Sequence, residues 1–252
     1  MSRLLFGRVA LITGGARGLG RAIGEAFAAA GAAGVLVDLP AALGGSTPPG
    51  GFVYCGADVT DESDLATAVT EVVDRFGRLD IVVANAGLVP PWRDTSALDM
   101  AEWDRVFAVN ARGVATTLKH AVPAMRPTGG AMIVMCSINS LRAAPGQILY
   151  TASKHAALGI VRAAALDLGP RGIRVNGLAP GPITTEALRE RLDYRESMGG
   201  PAATDAIKAF GAATALGRMV TIEEVANTAV FLASDRSTGI TGCVFPIDAG
   251  LA

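Results

Sequence analysis

Cysteine and histidine are scarce in this chain, with three of the first and two of the second. Cys55, Cys136 and Cys243 are an odd number, far apart, each amid apolar or small residues. That pattern argues against a disulfide framework and a zinc site, and predicts reduced thiols packed in a core. His120 and His155 each stand alone on a helical segment without a second ligand at useful spacing, so no metal centre is expected. Charge of one sign is also lacking: 22 Lys and Arg oppose 23 Asp and Glu for a net −1, and no basic block occurs. A phosphate-backbone partner needs a basic face, so nucleic acid is set aside. Nor is there a stretch of about 18 uninterrupted apolar residues, the length a membrane-crossing helix needs, and no membrane association is expected. Arg3 and Arg8 bracket an apolar run too short for a signal peptide, which makes the cytoplasm the expected location.

What the chain has in quantity is apolar substance: half of its 252 residues are hydrophobic and only 18% are charged, enough for a sizeable core. Apolar runs of strand length fall at Arg8 to Ile12, Gly34 to Val37, Phe52 to Tyr54, Ile81 to Ala84, Ala131 to Cys136, Ile173 to Leu178 and Cys243 to Ile247. Between them lie amphipathic or Ala-rich helical segments, Leu19 to Ala30, Asp61 to Phe76, Met100 to Met125, Tyr150 to Leu168 and Glu223 to Ala233. Continuous rather than alternating apolarity buries both strand faces, so the expected architecture is α/β: a doubly wound, seven-stranded parallel sheet. Thr221 with Glu224 three residues on marks a capping box for the last helix. From Leu39 to Gly51, Pro40, Gly44, Gly45, Pro48, Pro49 and Gly50 forbid more than one or two helical turns, which predicts a loop. No composition break divides the chain, so residues 1–252 read as one domain. A charged insert at about 185–216 interrupts the alternation as a small lid would.

The first strand runs into Thr13-Gly14-Gly15-Ala16-Arg17-Gly18-Leu19-Gly20 and then a helix. Glycines at the carboxyl end of a strand let the backbone approach an anion closely, and the helix N-terminus offers unpaired N–H groups to it; a pyrophosphate would sit here. The spacing is Gly-xxx-Gly-x-Gly rather than the commoner G-x-G-x-x-G. Asp38 ends the second strand about twenty residues on, where a carboxylate can accept hydrogen bonds from both ribose hydroxyls of an adenosine. Arg17 could instead hold the 2′-phosphate of NADP. At about 4 Å and an effective dielectric near 20, Asp38 against a phosphate dianion costs several kcal/mol, roughly what one Arg returns, so NAD is the expected cofactor.

Tyr150 and Lys154 stand four apart at the start of a helix and share one face. A phenol titrates near 10, too high for ready proton exchange near neutrality, but a nearby ammonium stabilises the phenolate. Such a tyrosine can act as general acid for a carbonyl oxygen or general base for an alcohol.

Taken together these motifs resemble the short-chain dehydrogenase/reductase family over nearly the whole chain. The family's TGxxxGxG is met by Thr13 to Gly20, its Asn-Ala-Gly by Asn85-Ala86-Gly87, its helix asparagine by Asn110 and its serine by Ser137. Its tyrosine and lysine are met by Tyr150 and Lys154, and its Pro-Gly-x-Ile-x-Thr by Pro180 to Thr185. The resemblance implies a Rossmann-like domain that passes a hydride between NAD and a secondary alcohol or ketone. Ser137 would hydrogen-bond the substrate oxygen, Tyr150 exchange the proton, Lys154 hold the ribose hydroxyls and assist Tyr150, and Asn110 anchor a relay water. Gly14, Arg17, Gly18, Leu19 and Gly20 would cradle the phosphates, Asp58 and Val59 would flank the adenine, and Pro180, Gly181, Ile183 and Thr185 would border the nicotinamide. The resemblance also implies a homotetramer. The sequence departs from the pattern in its missing second crossover helix and in Cys136 and Asn139 beside Ser137. The four-residue Tyr150–Lys154 spacing differs from the enoyl-reductase branch, where the pair stands farther apart.

The alternative is a catalytically silent dinucleotide sensor or scaffold of the same fold, since fold alone does not establish activity; an intact Ser137, Tyr150 and Lys154 favours the enzyme. Trp92 follows the fourth strand near the expected site mouth, where it could line a substrate pocket or pack at a surface. Asn139, Leu141, Gln147 and Pro182 are further lining candidates, and steroids, acyl thioesters, sugars and terpenoid alcohols all remain open as substrates. In the insert, Arg189, Arg191, Arg195, Glu186, Glu190 and Glu196 read first as a solvated helix face and second as an acid-binding lid. Leu188, Leu192, Tyr194, Met198 and Phe210 would form its apolar underside.

Overall fold

The computed structural model describes residues 3–45 and 47–251. Seven strands, β1 (Val9–Thr13), β2 (Ala33–Asp38), β3 (Phe52–Gly56), β4 (Ile81–Ala84), β5 (Gly130–Met135), β6 (Ile173–Pro180) and β7 (Val244–Ile247), form one sheet in the order β3-β2-β1-β4-β5-β6-β7. Every pairing is parallel. Strand order reverses between β1 and β4, so a crevice opens outside their carboxyl ends, where open α/β sheets bind ligands.

Helices cover both faces because alternate residues of each strand point to opposite sides. Val9 and Leu11 of β1 join a core with Ala68 and Val72 of α2 (Glu62–Phe76), Leu118 of α4 (Val114–Ala124) and Val161 of α5 (Ile148–Leu168). Ala10 and Ile12 join the opposite core with Ile23 and Phe27 of α1 (Gly18–Ala29) and Val225 and Leu232 of α8 (Ile222–Ala233). The capping box expected at Thr221 is formed, with Thr221 accepting from the Glu224 N–H and Glu224 accepting from the Thr221 N–H. The stretch after β2 holds a single short turn, Pro40–Ala42, and Ser46 lies outside the described residues.

Three expectations need correction. Met100 to Met125 is not one uniform helix: α3 (Met100–Phe107) passes through a π-helical segment, Ala108–Gly113, into α4. Such an insertion widens one turn, here where the Asn110 side chain pairs with the Leu88 backbone. Cys243 is exposed rather than packed, because it precedes β7, the sheet's edge strand, whereas Cys55 and Cys136 are buried. Burial pushes the Cys136 thiol up, and for Cys55 burial, reinforced by Glu71, pushes it up to about 12. The insert forms α6 (Glu186–Ser197) and α7 (Ala203–Ala212), whose small core joins Leu192, Ala203 and Ala206 with Trp92, Leu188, Ile207 and Phe210. Tyr194 and Met198 are 54% and 72% exposed and take no part in that underside.

At the amino-terminal end of β4, far along the strand from the crevice, the side chain of Asp80 is fully buried. It accepts two hydrogen bonds from Arg78, at 2.8 and 2.6 Å, and one from the Val9 N–H at 2.9 Å. Arg126 and Arg8 approach it at 3.7 and 3.9 Å. Among the described residues no helix is long and apolar enough to cross a membrane.

Candidate active site

The residues singled out in the sequence converge on the carboxyl ends of β1, β2, β4, β5 and β6. Gly14 turns the chain out of β1 with φ +66°, in the left-handed region that glycine tolerates, and Gly18 opens α1 with φ +55°. A Cβ on Gly14 would lie 2.9 Å from the Ala86 backbone, and one on Gly20 would lie 2.0 Å from the Gly14 carbonyl oxygen. The loop can therefore lie flat against Asn85-Ala86-Gly87 only without side chains. Asn85 binds it there: its Nδ2 donates to the carbonyls of Thr13 and Gly14 at 2.9 and 3.1 Å, and Thr13 Oγ1 accepts from the N–H groups of Asn85 and Ala86. The N-terminus of α1 carries no side-chain cap, Arg17 beside it is exposed, and Leu19 turns toward the core. Open N–H groups and a dipole end suit an anion. Asp38 lies against the loop, accepting from the N–H groups of Ala16 and Leu39, both at 2.9 Å.

On the other side of the crevice, Lys154 is 4% exposed, and its Nζ donates to the Met135 carbonyl at 2.7 Å. The same ammonium lies 5.8 Å from the centroid of the Tyr150 ring, one helical turn back on α5. Ser137 follows β5 by two residues and caps the short turn Ile138–Ser140, accepting from the Asn139 N–H at 3.2 Å. Asn110 is fully buried: Oδ1 accepts from the Leu88 N–H at 2.7 Å, while Nδ2 donates to the Leu88 carbonyl and to Ser153 Oγ. A Cβ on Gly87 would meet Asn110 Oδ1 at 3.4 Å and Lys154 Nζ at 3.6 Å, so this glycine lies between the two groups.

The remaining expected positions are brought to the rim. Asp58 Oδ1 accepts from the N–H and Oγ1 of Thr60, both at 2.8 Å, while Val59 is buried against Gly113. Pro180 ends β6, Gly181 donates its N–H to the Ile247 carbonyl, and Ile183 is buried in a bridge with Val220. Thr185 Oγ1 accepts from the Leu188 N–H, capping α6. One cleft of about 660 Å³ adjoins the site at Ile183 and runs along α7, and another of about 530 Å³ adjoins it at Thr151. Tyr150 and Ser137 line neither cleft.

The groups that hold the site include some the sequence did not mark and others it marked for different roles. Ser153 and the Leu88 backbone, which hold Asn110, belong to no motif. Asn139 donates to both Gln147 and Thr151, tying the Ser137 turn to the start of α5. Arg191 reaches in from α6 onto Trp92, and only the spacing of Leu188, Arg191, Leu192 and Arg195 on one helical face could have signalled it. Among the described residues no group of three His, Cys, Asp or Glu is placed to hold a metal ion. His120 instead meets Glu62 at 3.0 Å, and exposed His155 meets the Thr151 carbonyl.

A parallel seven-stranded sheet with this constellation at its carboxyl edge defines a dinucleotide-binding oxidoreductase fold. Residues 14–252 match a family model described as enoyl-(acyl carrier protein) reductase. The chain is 39% identical over 258 residues to (+)-borneol dehydrogenase 2 of Salvia officinalis, covering 98% of this chain and 89% of that protein. It is 37% identical over 256 residues to short-chain dehydrogenase reductase 5 of Arabidopsis thaliana, covering 98% and 95%. Among solved structures, carveol dehydrogenase from Mycobacterium avium in complex with NAD superposes with a TM-score of 0.91 at 30% identity, covering 98% of both chains. The protein belongs to the short-chain dehydrogenase/reductase family.

Proposed function

We propose that Tyr150 is the proton-transfer group of this protein, an NAD-dependent oxidoreductase that interconverts a secondary alcohol and a ketone. The observation that carries this reading is the buried Lys154 ammonium beside the Tyr150 ring on the same face of α5, bonded to the Met135 carbonyl at the end of β5, two residues before Ser137. A cation there stabilises a phenolate that water alone would stabilise less selectively. Tyr150 then takes the proton from an alcohol oxygen, or gives one to a ketone oxygen, and the Ser137 hydroxyl holds that oxygen by a hydrogen bond. Asn110, fixed by Leu88 and Ser153, holds the water that relays the proton outward. NAD, when bound, supplies the hydride acceptor and its reduced form the donor.

The pocket for that cofactor is supported by the side-chain-free Gly14–Gly20 surface and the uncapped start of α1, which would take the phosphates with Arg17, Gly18 and Leu19. Asp38 would take the ribose hydroxyls, Asp58 and Val59 the adenine rim, and Asn85, Ala86 and Gly87 the floor. Lys154 would reach the second ribose, with Pro180, Gly181, Ile183 and Thr185 around the nicotinamide. The chain works as one domain, with residues 185–216 as its lid. The homotetramer rests on the family resemblance, with exposed Leu166 on α5 and the partly exposed β7 edge as surface open to another copy, and two buried thiols suit the reducing cytoplasm. Relatives named for borneol and carveol support a cyclic secondary alcohol as the substrate skeleton.

A panel of secondary alcohols with NAD, and of ketones with NADH, followed by NADH absorbance, tests the reading; cyclic members are expected to turn over. Bound NADH with no turnover on any member would favour the silent sensor instead.

Two outcomes concern the cofactor. Gly20→Ala forces a methyl group against the Gly14 carbonyl, an overpacking that costs about 1–3 kcal/mol. The Kd for NADH should therefore rise about tenfold or more, each tenfold being about 1.4 kcal/mol. An unchanged Kd by fluorescence titration would mean that the phosphates lie elsewhere. Asp38→Ala should narrow the preference for NAD over NADP by about ten- to a hundredfold in kcat/KM, since a hydrogen bond to a charged group contributes about 1.5–3 kcal/mol. A wild-type preference for NADP would overturn the ribose assignment.

A further inference from the structure

The insert holds, against the loop that follows β4, a cation with no acidic partner among the described residues. On α6, Glu186, Arg189, Glu190 and Glu196 are exposed, but Arg191 and Arg195 turn inward and are only partly exposed. Both guanidiniums lie over the Trp92 ring, at 4.1 and 5.1 Å from its centroid. Neither forms an ion pair with an acid among the described residues, and the nearby Glu196 is occupied by the Ala203 N–H at 2.8 Å. Arg191 Nη2 donates to the Pro90 carbonyl at 3.0 Å, while its Nε is buried with no hydrogen-bond partner. Burial pushes the Arg191 guanidinium down to about 10. The loop that carries Trp92 is tied to the start of α5, the helix of Tyr150: the Arg93 N–H donates to the Gly146 carbonyl at 2.9 Å, and Trp92 lies beside Gly146. Stacking on an indole recovers about 0.5–2 kcal/mol of the cost of burying a cation, less than an uncompensated buried charge costs. An anionic oxygen is the group that would both accept from this N–H and balance the guanidinium charge.

We propose that Arg191, supported by Arg195 and positioned by Trp92, is a specificity-determining residue that binds a carboxylate on the substrate, making this protein a dehydrogenase of cyclic hydroxy acids and a reductase of the matching oxo acids. The inference rests on the reading of Tyr150 as the proton-transfer group only in placing the substrate's reacting oxygen. A substrate that carries both groups would place its hydroxyl or ketone oxygen at Tyr150 and Ser137 and its carboxylate under the lid at Arg191.

The test uses oxocyclohexanecarboxylate ring isomers, their methyl esters and cyclohexanone, with the full chain and NADH. The ester keeps the shape and removes the charge. In the wild type, at least one acid should exceed its ester by about ten- to a hundredfold in kcat/KM, the range set by one charge-assisted hydrogen bond. In Arg191→Met that ratio should fall toward one, and Arg191→Lys should recover part of it. Titration calorimetry of acid and ester into the enzyme–NADH complex reads the same preference without turnover. Acid binding that is lost in Arg191→Met would support the carboxylate site even if no ketone were reduced, in which case only the turnover reading would fail. An acid that neither binds nor reacts better than its ester in the wild type would overturn the proposal. Equal losses on acid and ester in Arg191→Met would also overturn it, leaving Arg191 as a mere latch on Trp92.

Discussion

Replacing Tyr150 with Phe should lower turnover by about 10² to 10⁴, the contribution of general acid–base catalysis, while NADH still binds within a few-fold. The substitution removes one oxygen and leaves the ring against Lys154, so packing in the crevice persists. Lys154→Ala should behave differently. Its ammonium is buried and bonded to the Met135 carbonyl, so removal takes away the charge beside Tyr150, the proposed ribose contact and a piece of packing together. Turnover and NADH affinity should therefore fall together, and melting of both variants separates that loss from general unfolding. Absorbance assays and fluorescence titration provide the two readings. Near-normal turnover in Tyr150→Phe would falsify the proton-transfer assignment and direct attention to another acid in the crevice.

Asp80→Ala should lower stability by about 3 kcal/mol, the low end for breaking a buried ion pair, because it strips Arg78 of two hydrogen bonds and the Val9 N–H of its acceptor. The low end applies because Arg78, Arg8 and Arg126 are about a third exposed, so solvent can rehydrate them. Against a net stability of about 5–15 kcal/mol this is a large fraction. Asp80 lies at the amino-terminal end of β4 and the chemistry at the carboxyl end, so the kcat of the folded fraction should not change. Urea denaturation measures the loss. A shift under about 1 kcal/mol would show that water replaces the carboxylate at almost no cost.

The fold was legible wherever one physical cause dominated. Buried parallel strands must be apolar on both faces, so Leu11, Val35, Val82 and Val134 mark β1, β2, β4 and β5 in the sequence itself. Gly14 and Gly20 were legible because a loop that lies against another backbone admits no Cβ. Tyr150 and Lys154 were legible because helical periodicity places residues four apart on one face. The break in the Met100–Met125 segment was not legible. Local propensity there favours a continuous helix, and the π-helical turn accompanies the pairing of Asn110 with Leu88, a residue 22 positions away. Cys243 was misread because an apolar neighbourhood along the chain does not reveal whether a strand lies at the edge of a sheet.

The insert at residues 185–216 shows the same division most clearly. Its mixed charges were visible as a helix of both signs, but charge spacing alone could not say which side chains face water. Leu188 and Leu192 settle that by turning α6 onto Trp92, which carries Arg191 and Arg195 inward and leaves Glu186 and Glu190 outside. Thus the class of chemistry followed from the sequence by itself, because a glycine loop, a carboxylate twenty residues on and a Tyr-xxx-Lys pair each act through local spacing. The tertiary structure alone decided which charges are buried and unpaired, because burial is set by contacts between segments that the chain order keeps a hundred residues apart, as Arg191 is from Pro90.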